Sequence, residues 1–208
     1  MKELVRRMEI PLALIVLLAG AAFLLKMCYL SLSLNIIFGL LFLGVFYSYV
    51  RLRHQFNVPL VLLVLVFGAL QVDALGNYFR MYGQPFGPLQ YDEFSHLTVQ
   101  MLITPIAIWL ALHTLNKLGH SPSLGITSFF AGTIIFSLSA LYEIIELWDE
   151  LYFQGQRIWS KYDTANDLQW DLVGILLGTL LANIVLRLRR SAVPTRVVTP
   201  VKHLPILR

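Results

Sequence analysis

One cysteine, Cys28, serves a chain of 208 residues. It cannot close an intramolecular disulfide, and without a second thiol there is no cysteine-based metal motif, so thiol redox chemistry is not indicated. Charge is also scarce: 13% of the residues are Asp, Glu, Lys or Arg, against 57% hydrophobic. A soluble domain of this length cannot hide so much apolar surface. No internal repeat, clear domain break or nucleophile–base arrangement of a serine or cysteine hydrolase is visible. A nucleic-acid motif is missing too, although the net charge of +4 and the pI near 9.3 invite that reading. The basic residues flank apolar runs instead, as topology signals and contacts for anionic lipid.

What the chain has is apolar runs of membrane-spanning length, for which a helix needs roughly 20 residues. Six are read, at Ile10–Leu25, Ser33–Val50, Asn57–Leu75, Phe94–Leu115, Ile126–Glu146 and Gln169–Leu188. The expected fold is therefore all-α: a polytopic transmembrane helical bundle of about six spans, a single domain over residues 1–190. The first run has Lys2, Arg6 and Arg7 before it and small residues at Ala19–Ala22, as a secretory signal would. It continues past them to Leu25 and Lys26, which favours a span.

Orientation follows from the excess of Lys and Arg in cytoplasmic loops. An inside N-terminus puts 12 of the 16 basic residues on the cytoplasmic side and leaves Lys26, Arg80, Arg157 and Lys161 outside. The acids divide the other way, with only Glu3 and Glu9 of the 12 inside. Six spans then leave both termini in the cytoplasm, and Ser191–Arg208, with Pro194, Pro200 and Pro205, reads as a flexible cytoplasmic tail. The long connections, Gly76–Glu93 and Leu147–Leu168, fall outside. The first interleaves Gly and Pro with Tyr78, Phe79, Tyr82, Phe86 and Tyr91. Its aromatics suit interfacial anchoring, or a lid over an outer pocket.

Polar clusters at the outer ends of the apolar runs carry the functional signal. Residues three or four apart share a helix face, which pairs Asp92 with His96, Glu143 with Glu146, and Asp163 with Asp167 and Asp171. Asp73, near the outer end of span three, adds a fourth helix to the layer. An ionised acid at the centre of a spanning helix costs about 2.5–3.5 kcal/mol, so these groups should face one another, water or a cation. Crowded like charges take up protons or bind a counter-ion. Carboxylates with one imidazole suit Mg²⁺, Mn²⁺, Fe²⁺ or Zn²⁺. The expected metal ligands are Asp92, His96, Glu143, Glu146 and Asp171, with Asp73, Asp163 and Asp167 as additional candidates.

Each cluster also has a plainer reading. Asp92 and Glu93 suit the cap of span four, where negative charge favours a helix N-terminus. His96 is either a ligand or an interfacial hydrogen-bonding group. Glu143 and Glu146 point most strongly to function, because they stand at what reads as a helix C-terminal end, where the macrodipole disfavours acids. Asp163 and Asp167 are loop or cap residues in the plainer reading, whereas Asp171 points inward. Gly174 and Gly178 continue the Asp171 face, and small residues at this spacing let helices approach closely in lipid. Pro105 is expected to kink span four. Asn35 and Asn183 are isolated and receive no role.

The ordered series Asp73-Ala-Leu-Gly-Asn-Tyr, Phe86-Gly, Tyr91-Asp-Glu-Phe-Ser-His, Leu141-Tyr-Glu-Ile-Ile-Glu-Leu-Trp, Asp163-Thr and Gln169-Trp-Asp resembles the YjdF-like family of uncharacterised bacterial inner-membrane proteins. The resemblance spans Asp73–Leu181. Family members commonly carry Asp-Thr-Gln-Trp-Asp unbroken; here Ala165–Leu168 separates its halves. A looser likeness to VanZ-like proteins rests on Asp-x-x-x-His, an acidic pair and an Asp followed by Gly. The resemblance implies a multi-pass inner-membrane protein and no established reaction. Two functions therefore stand: a metal-dependent enzyme acting on lipid or envelope-derived substrates, or a non-catalytic protein that binds or transports a cation, a proton or a headgroup. The lipid bilayer is the expected partner in both, and oligomeric state is not readable.

Overall fold

The computed structural model describes residues 32–155, 158 and 160–192. The expected span Ile10–Leu25 and the tail from residue 193 onward lie outside the described residues. Five helices follow in order: α1 (Leu32–His54), α2 (Leu60–Tyr78), α3 (Tyr91–Lys117), α4 (Leu124–Phe153) and α5 (Asp163–Ala192). A two-residue ribbon, β1 (Pro85–Phe86) against β2 (Leu89–Gln90), interrupts the all-α chain between α2 and α3. Among the described residues, four helices, α1 to α4, are long and apolar enough to cross a membrane.

The helix ends follow from local chemistry. Ser123 caps α4 by accepting the Ile126 N–H at 3.2 Å, and Gln154 ends it in a left-handed conformation with φ of 57°. At the start of α3 the Gln90 N–H donates to Glu93 at 3.0 Å as part of a capping box. This starts α3 three residues before the expected Phe94. Likewise α4 runs seven residues beyond Glu146, and α5 begins six residues before Gln169. Polar residues end an apolar run without ending a helix. The premise that Glu143 and Glu146 sit at a helix C-terminus is therefore corrected: both lie inside α4.

Helix α3 is the hub, packed against α2, α4, α5 and the ribbon, and most closely against α5. Gly174 and Gly178 explain that closeness. A Cβ on Gly174 would collide with the Leu97 carbonyl and come within 2.9 Å of Gln100 Cβ; one on Gly178 would lie 2.7 Å from the Met101 carbonyl. Pro105 has no N–H to give that carbonyl, which stands one turn before it, so α5 lies against the stretch of α3 whose helical bonding is interrupted.

The two halves of α3 differ in chemistry. Beyond Pro105, Ile108 and Leu112 pack with Leu124, Ala131 and Ala182 in one apolar cluster, and Ile106 and Trp109 pack with Val50 and Val58 in another. In this half Ser128 donates to Asn183 Oδ1 at 2.9 Å, so Asn183, expected to be idle, ties α4 to α5. The other half of α3, from Tyr91 to Gln100, faces the acids.

The aromatic loop resolves into two parts. Tyr78 and Phe79 are exposed, as anchoring requires. Tyr82 and Tyr91 turn inward over Gly76, where any Cβ would strike both rings. The Tyr91 hydroxyl donates to the Val72 carbonyl at 2.6 Å and that of Tyr82 to Asp73 Oδ1 at 2.5 Å. Gly83 and Gly87, at φ of 74° and 66°, take the left-handed turns that fold the ribbon back over α3, where the Phe86 ring lies tilted against Phe94 with centroids 4.5 Å apart.

Candidate functional site

Three helices bring the acids to one imidazole. On α3, Asp92 and His96 stand one turn apart; on α5, Asp167 and Asp171 do the same, because α5 is already helical at Asp163. His96 Nδ1 lies 3.0 Å from Asp171 Oδ1. Its other nitrogen, Nε2, is 3.8 Å from Asp92 Oδ1 and 3.9 Å from Asp167 Oδ1. Glu143, from α4, joins His96 and Asp171 in a second set whose donor atoms all lie within 4.8 Å of one another, as do those of Asp92, His96 and Asp167.

Burial makes the arrangement costly. Asp171 is 0%, Asp167 2% and Glu143 3% exposed. Asp171 is satisfied, since Ser139 donates its hydroxyl to Oδ2 while His96 meets Oδ1. Asp167 Oδ1 and Glu143 Oε1 are buried without a hydrogen-bond partner. Burying an ionised carboxylate without compensation costs several kcal/mol, so these oxygens mark where a further positive group is wanted.

Of the expected ligands, the structure gathers Asp92, His96, Glu143 and Asp171. Asp167, an additional candidate, takes a central place. Glu146 belongs to neither convergent set, although its charge acts on both Asp92 and Glu143. Asp163 stands at the rim, where its charge reaches Asp92 and Asp167. Asp73 is engaged elsewhere. It accepts from Tyr82 and, at 3.1 Å, from Asn77, and so fastens the aromatic loop. Burial first, and the neighbouring Asp73 carboxylate next, push the Tyr82 phenol well above its usual range. The competing readings at the start of α3 separate as well: Glu93 does the capping, and Asp92 faces His96.

Three polar residues escaped the sequence reading. Gln100 Nε2 donates to Ser139 Oγ at 3.2 Å beneath the acids, and Asn166 Nδ2 donates to Glu93 Oε1 at 3.1 Å at the rim. The available signal was spacing: Gln100 is one turn from His96, and Ser139 one turn from Glu143, on faces already marked as functional.

Carboxylate oxygens around one imidazole form a hard-to-borderline donor set, suited to a divalent cation. The spacing also fits. Ligands about 2.0–2.2 Å from an ion stand about 3–3.5 Å apart, slightly closer than the 3.8 and 3.9 Å separations at His96 Nε2.

No curated protein and no solved structure matches the chain. A family match agrees with the YjdF-like resemblance, whereas the VanZ-like likeness finds no support. The model of the family described as "Predicted membrane protein (DUF2238)" matches residues 10–192, and the chain belongs to that family.

Proposed function

We propose that this multi-pass membrane protein holds a divalent metal ion between Asp92, His96 Nε2 and Asp167, and uses it on a lipid or envelope-derived substrate. The observation that carries the reading is Asp167 Oδ1, buried and without a hydrogen-bond donor, facing His96 Nε2. His96 Nδ1 is occupied by Asp171, the usual arrangement of a metal-ligating histidine. An ion at this site would supply Lewis-acid activation of a water or a substrate oxygen. Glu143, whose carboxylate lies within 4.8 Å of His96 and Asp171, has a buried oxygen without a hydrogen-bond partner that can accept a proton.

The same reading takes the chain as six spans with both termini cytoplasmic and the site at the extracytoplasmic end, in a cell (inner) membrane. The division of Lys and Arg supports this orientation. The 30-residue length of α5, with Leu176, Leu180 and Ile184 exposed along it, supports α5 as a further span. A non-catalytic cation-binding protein would use the same ligands. Conduction across the membrane is disfavoured by the apolar packing of Ile108, Ala131 and Ala182 beyond the acids.

Elemental analysis of the detergent-purified protein, with calorimetric titration of Zn²⁺ and Mn²⁺ after chelation, tests the site. One equivalent is expected in wild type and none in Asp167→Asn or His96→Gln. Well-folded wild type that neither contains nor rebinds metal would overturn the reading. Turnover of lipid-linked substrates by the loaded protein separates the enzyme from the binding protein.

A further inference from the structure

The hydrogen bonds beneath the acids run in one direction, and that direction decides which imidazole nitrogen is free. Ser139 Oγ receives the Gln100 Nε2 proton at 3.2 Å. Its own single proton goes to Asp171 Oδ2. With Asp171 ionised, reversing the Gln100 amide would set two acceptors, Gln100 Oε1 and Asp171 Oδ2, against one hydroxyl proton, so the amide-donating orientation fits the chain, and it leaves Gln100 Oε1 buried without a partner. Asp171 then has one oxygen left, and it stands 3.0 Å from His96 Nδ1.

Two placements of a single ring proton share these heavy-atom positions, and a doubly protonated ring, with Nδ1–H on Asp171 and Nε2–H toward Asp92 and Asp167, shares them as well. In one, Asp171 is an anion, an acceptor only, and His96 carries its proton on Nδ1. In the other, Asp171 carries a proton and donates it to Nδ1, and the imidazole proton sits on Nε2, facing Asp92 and Asp167. The second placement removes the lone pair a metal requires. Ser139 opposes it, because a carboxylate with donors on both oxygens is held as an acceptor, and Gln100 keeps the Ser139 hydroxyl pointed that way. Gln100, Ser139 and Asp171 are buried, so water has little access to substitute for either donor.

We infer that Gln100 and Ser139 are positioning residues that hold the His96 Nδ1 proton on Asp171, so that Nε2 is the nitrogen that takes a divalent cation between Asp92 and Asp167. The metal part of this inference rests on the function proposed above; the Nδ1 proton does not. Loss of an outer hydrogen-bond partner of a metal-ligating histidine typically weakens metal binding by about 10–100-fold.

The test uses the full-length, metal-free protein in detergent with ¹⁵N-labelled histidine, the His96 signals being identified by their disappearance in His96→Gln. Nitrogen shifts distinguish the two neutral tautomers and the doubly protonated ring. The expected result is a ring with Nδ1 protonated in wild type, alone or together with Nε2, an Nδ1 proton wholly or partly lost in Ser139→Ala, and recovery in Ser139→Thr, which keeps the hydroxyl. Zn²⁺ titration of the same samples should show a loss of about 10–100-fold for Ser139→Ala, reversed in Ser139→Thr. A wild-type ring with Nδ1 unprotonated, or a Ser139→Ala ring identical to wild type, overturns the inference. Should Ser139→Ala fail to fold, Gln100→Leu applies the same test one bond further away. Wild type with the expected Nδ1 proton but no affinity for Zn²⁺ or Mn²⁺ would defeat the metal reading and leave the relay standing.

Discussion

Replacing Gly174 with Ala tests how the site is held together. The new methyl group would run into the Leu97 carbonyl and sit 2.9 Å from Gln100 Cβ and 3.0 Å from the Leu97 carbonyl carbon, where ordinary contact begins at 3.4 Å. Each obstacle is backbone or attached directly to it, so no rotamer change relieves the clash, and α5 must move away from α3 by about half an ångström. Overpacking of this kind costs about 1–3 kcal/mol, whereas Gly→Ala inside a helix returns about 0.5–1 kcal/mol. The net expectation is a loss of about 0–2.5 kcal/mol.

The neighbouring glycines provide a graded series. Gly178→Ala meets the Met101 carbonyl at 2.7 Å and Thr104 Cβ at 2.9 Å and should lose a similar amount. Gly132→Ala meets only the Ile175 Cγ2 methyl at 3.2 Å and should lose less, while Gly44→Ala meets nothing within 4 Å and should gain stability. Reversible unfolding in mixed dodecylmaltoside–SDS micelles, followed by circular dichroism, gives the order. Because Gly174 lies one turn from Asp171, the same displacement stretches the 3.0 Å His96–Asp171 bond to the limit of a hydrogen bond, near ~3.5 Å. The Gly174→Ala protein should therefore also bind Zn²⁺ more weakly. Equal stability of Gly174→Ala and Gly44→Ala would refute the close α3–α5 approach on which the site depends.

Other consequences can be checked separately. The Tyr82 phenol is held above its ordinary value of 10.0 in the fold, so the stability it lends is complete below about pH 10 and declines at more alkaline pH as the unfolded chain ionises. Tyr82→Phe should cost about 1 kcal/mol at neutral pH through the lost bond to Asp73 and flatten the decline between about pH 9 and 12; parallel stability curves would count against the assignment. Ser123→Ala removes the cap of α4 and should lower stability by about 1 kcal/mol, measured by the same micellar unfolding, with no effect on Zn²⁺ affinity. Zn²⁺ at about a hundredfold excess over its Kd should stabilise wild type by about 2.7 kcal/mol, an increment that EDTA and Asp92→Asn both abolish.

Much of the site was legible because its residues are chemically conspicuous where they stand. Asp92, His96, Glu143 and Asp171 are polar interruptions of apolar runs, and helical spacing alone puts each on an inward face. Hydropathy misjudged what lay beyond those runs. It placed the end of α4 at Glu146 and the start of α5 near Gln169, because acids lower the hydropathy without lowering helix propensity enough to end a helix. That error made Asp163 and Asp167 look like loop residues, when continuous helix from Asp163 stacks Asp167 above Asp171. Asp73 stands apart from the convergent acids for a different reason. It shares the depth of the other acids, but only the tertiary fold shows that the phenol of Tyr82 claims it. Gln100 and Ser139 are uncharged and could not be told from ordinary helix-packing polar groups without the bonds that link them.

The two halves of α3 together favour binding from one end over passage through the membrane. Acids on α3, α4 and α5 converge within about three turns of the start of α3, yet beyond Thr104 the same helices meet through Ile108, Ala131 and Ala182, with Ile108 fully buried. Ser128 and Asn183 lie past that apolar stretch and satisfy each other, so they do not extend the acidic site. An ion entering beside Asp92 and Asp163 would meet Asp167 and His96, and below the Gln100–Ser139 pair the Thr104 hydroxyl and the Ser128–Asn183 pair are engaged in hydrogen bonds of their own. The apolar half also keeps water from below, and at the other end Glu93 and Asn166 join α3 to α5 at the rim.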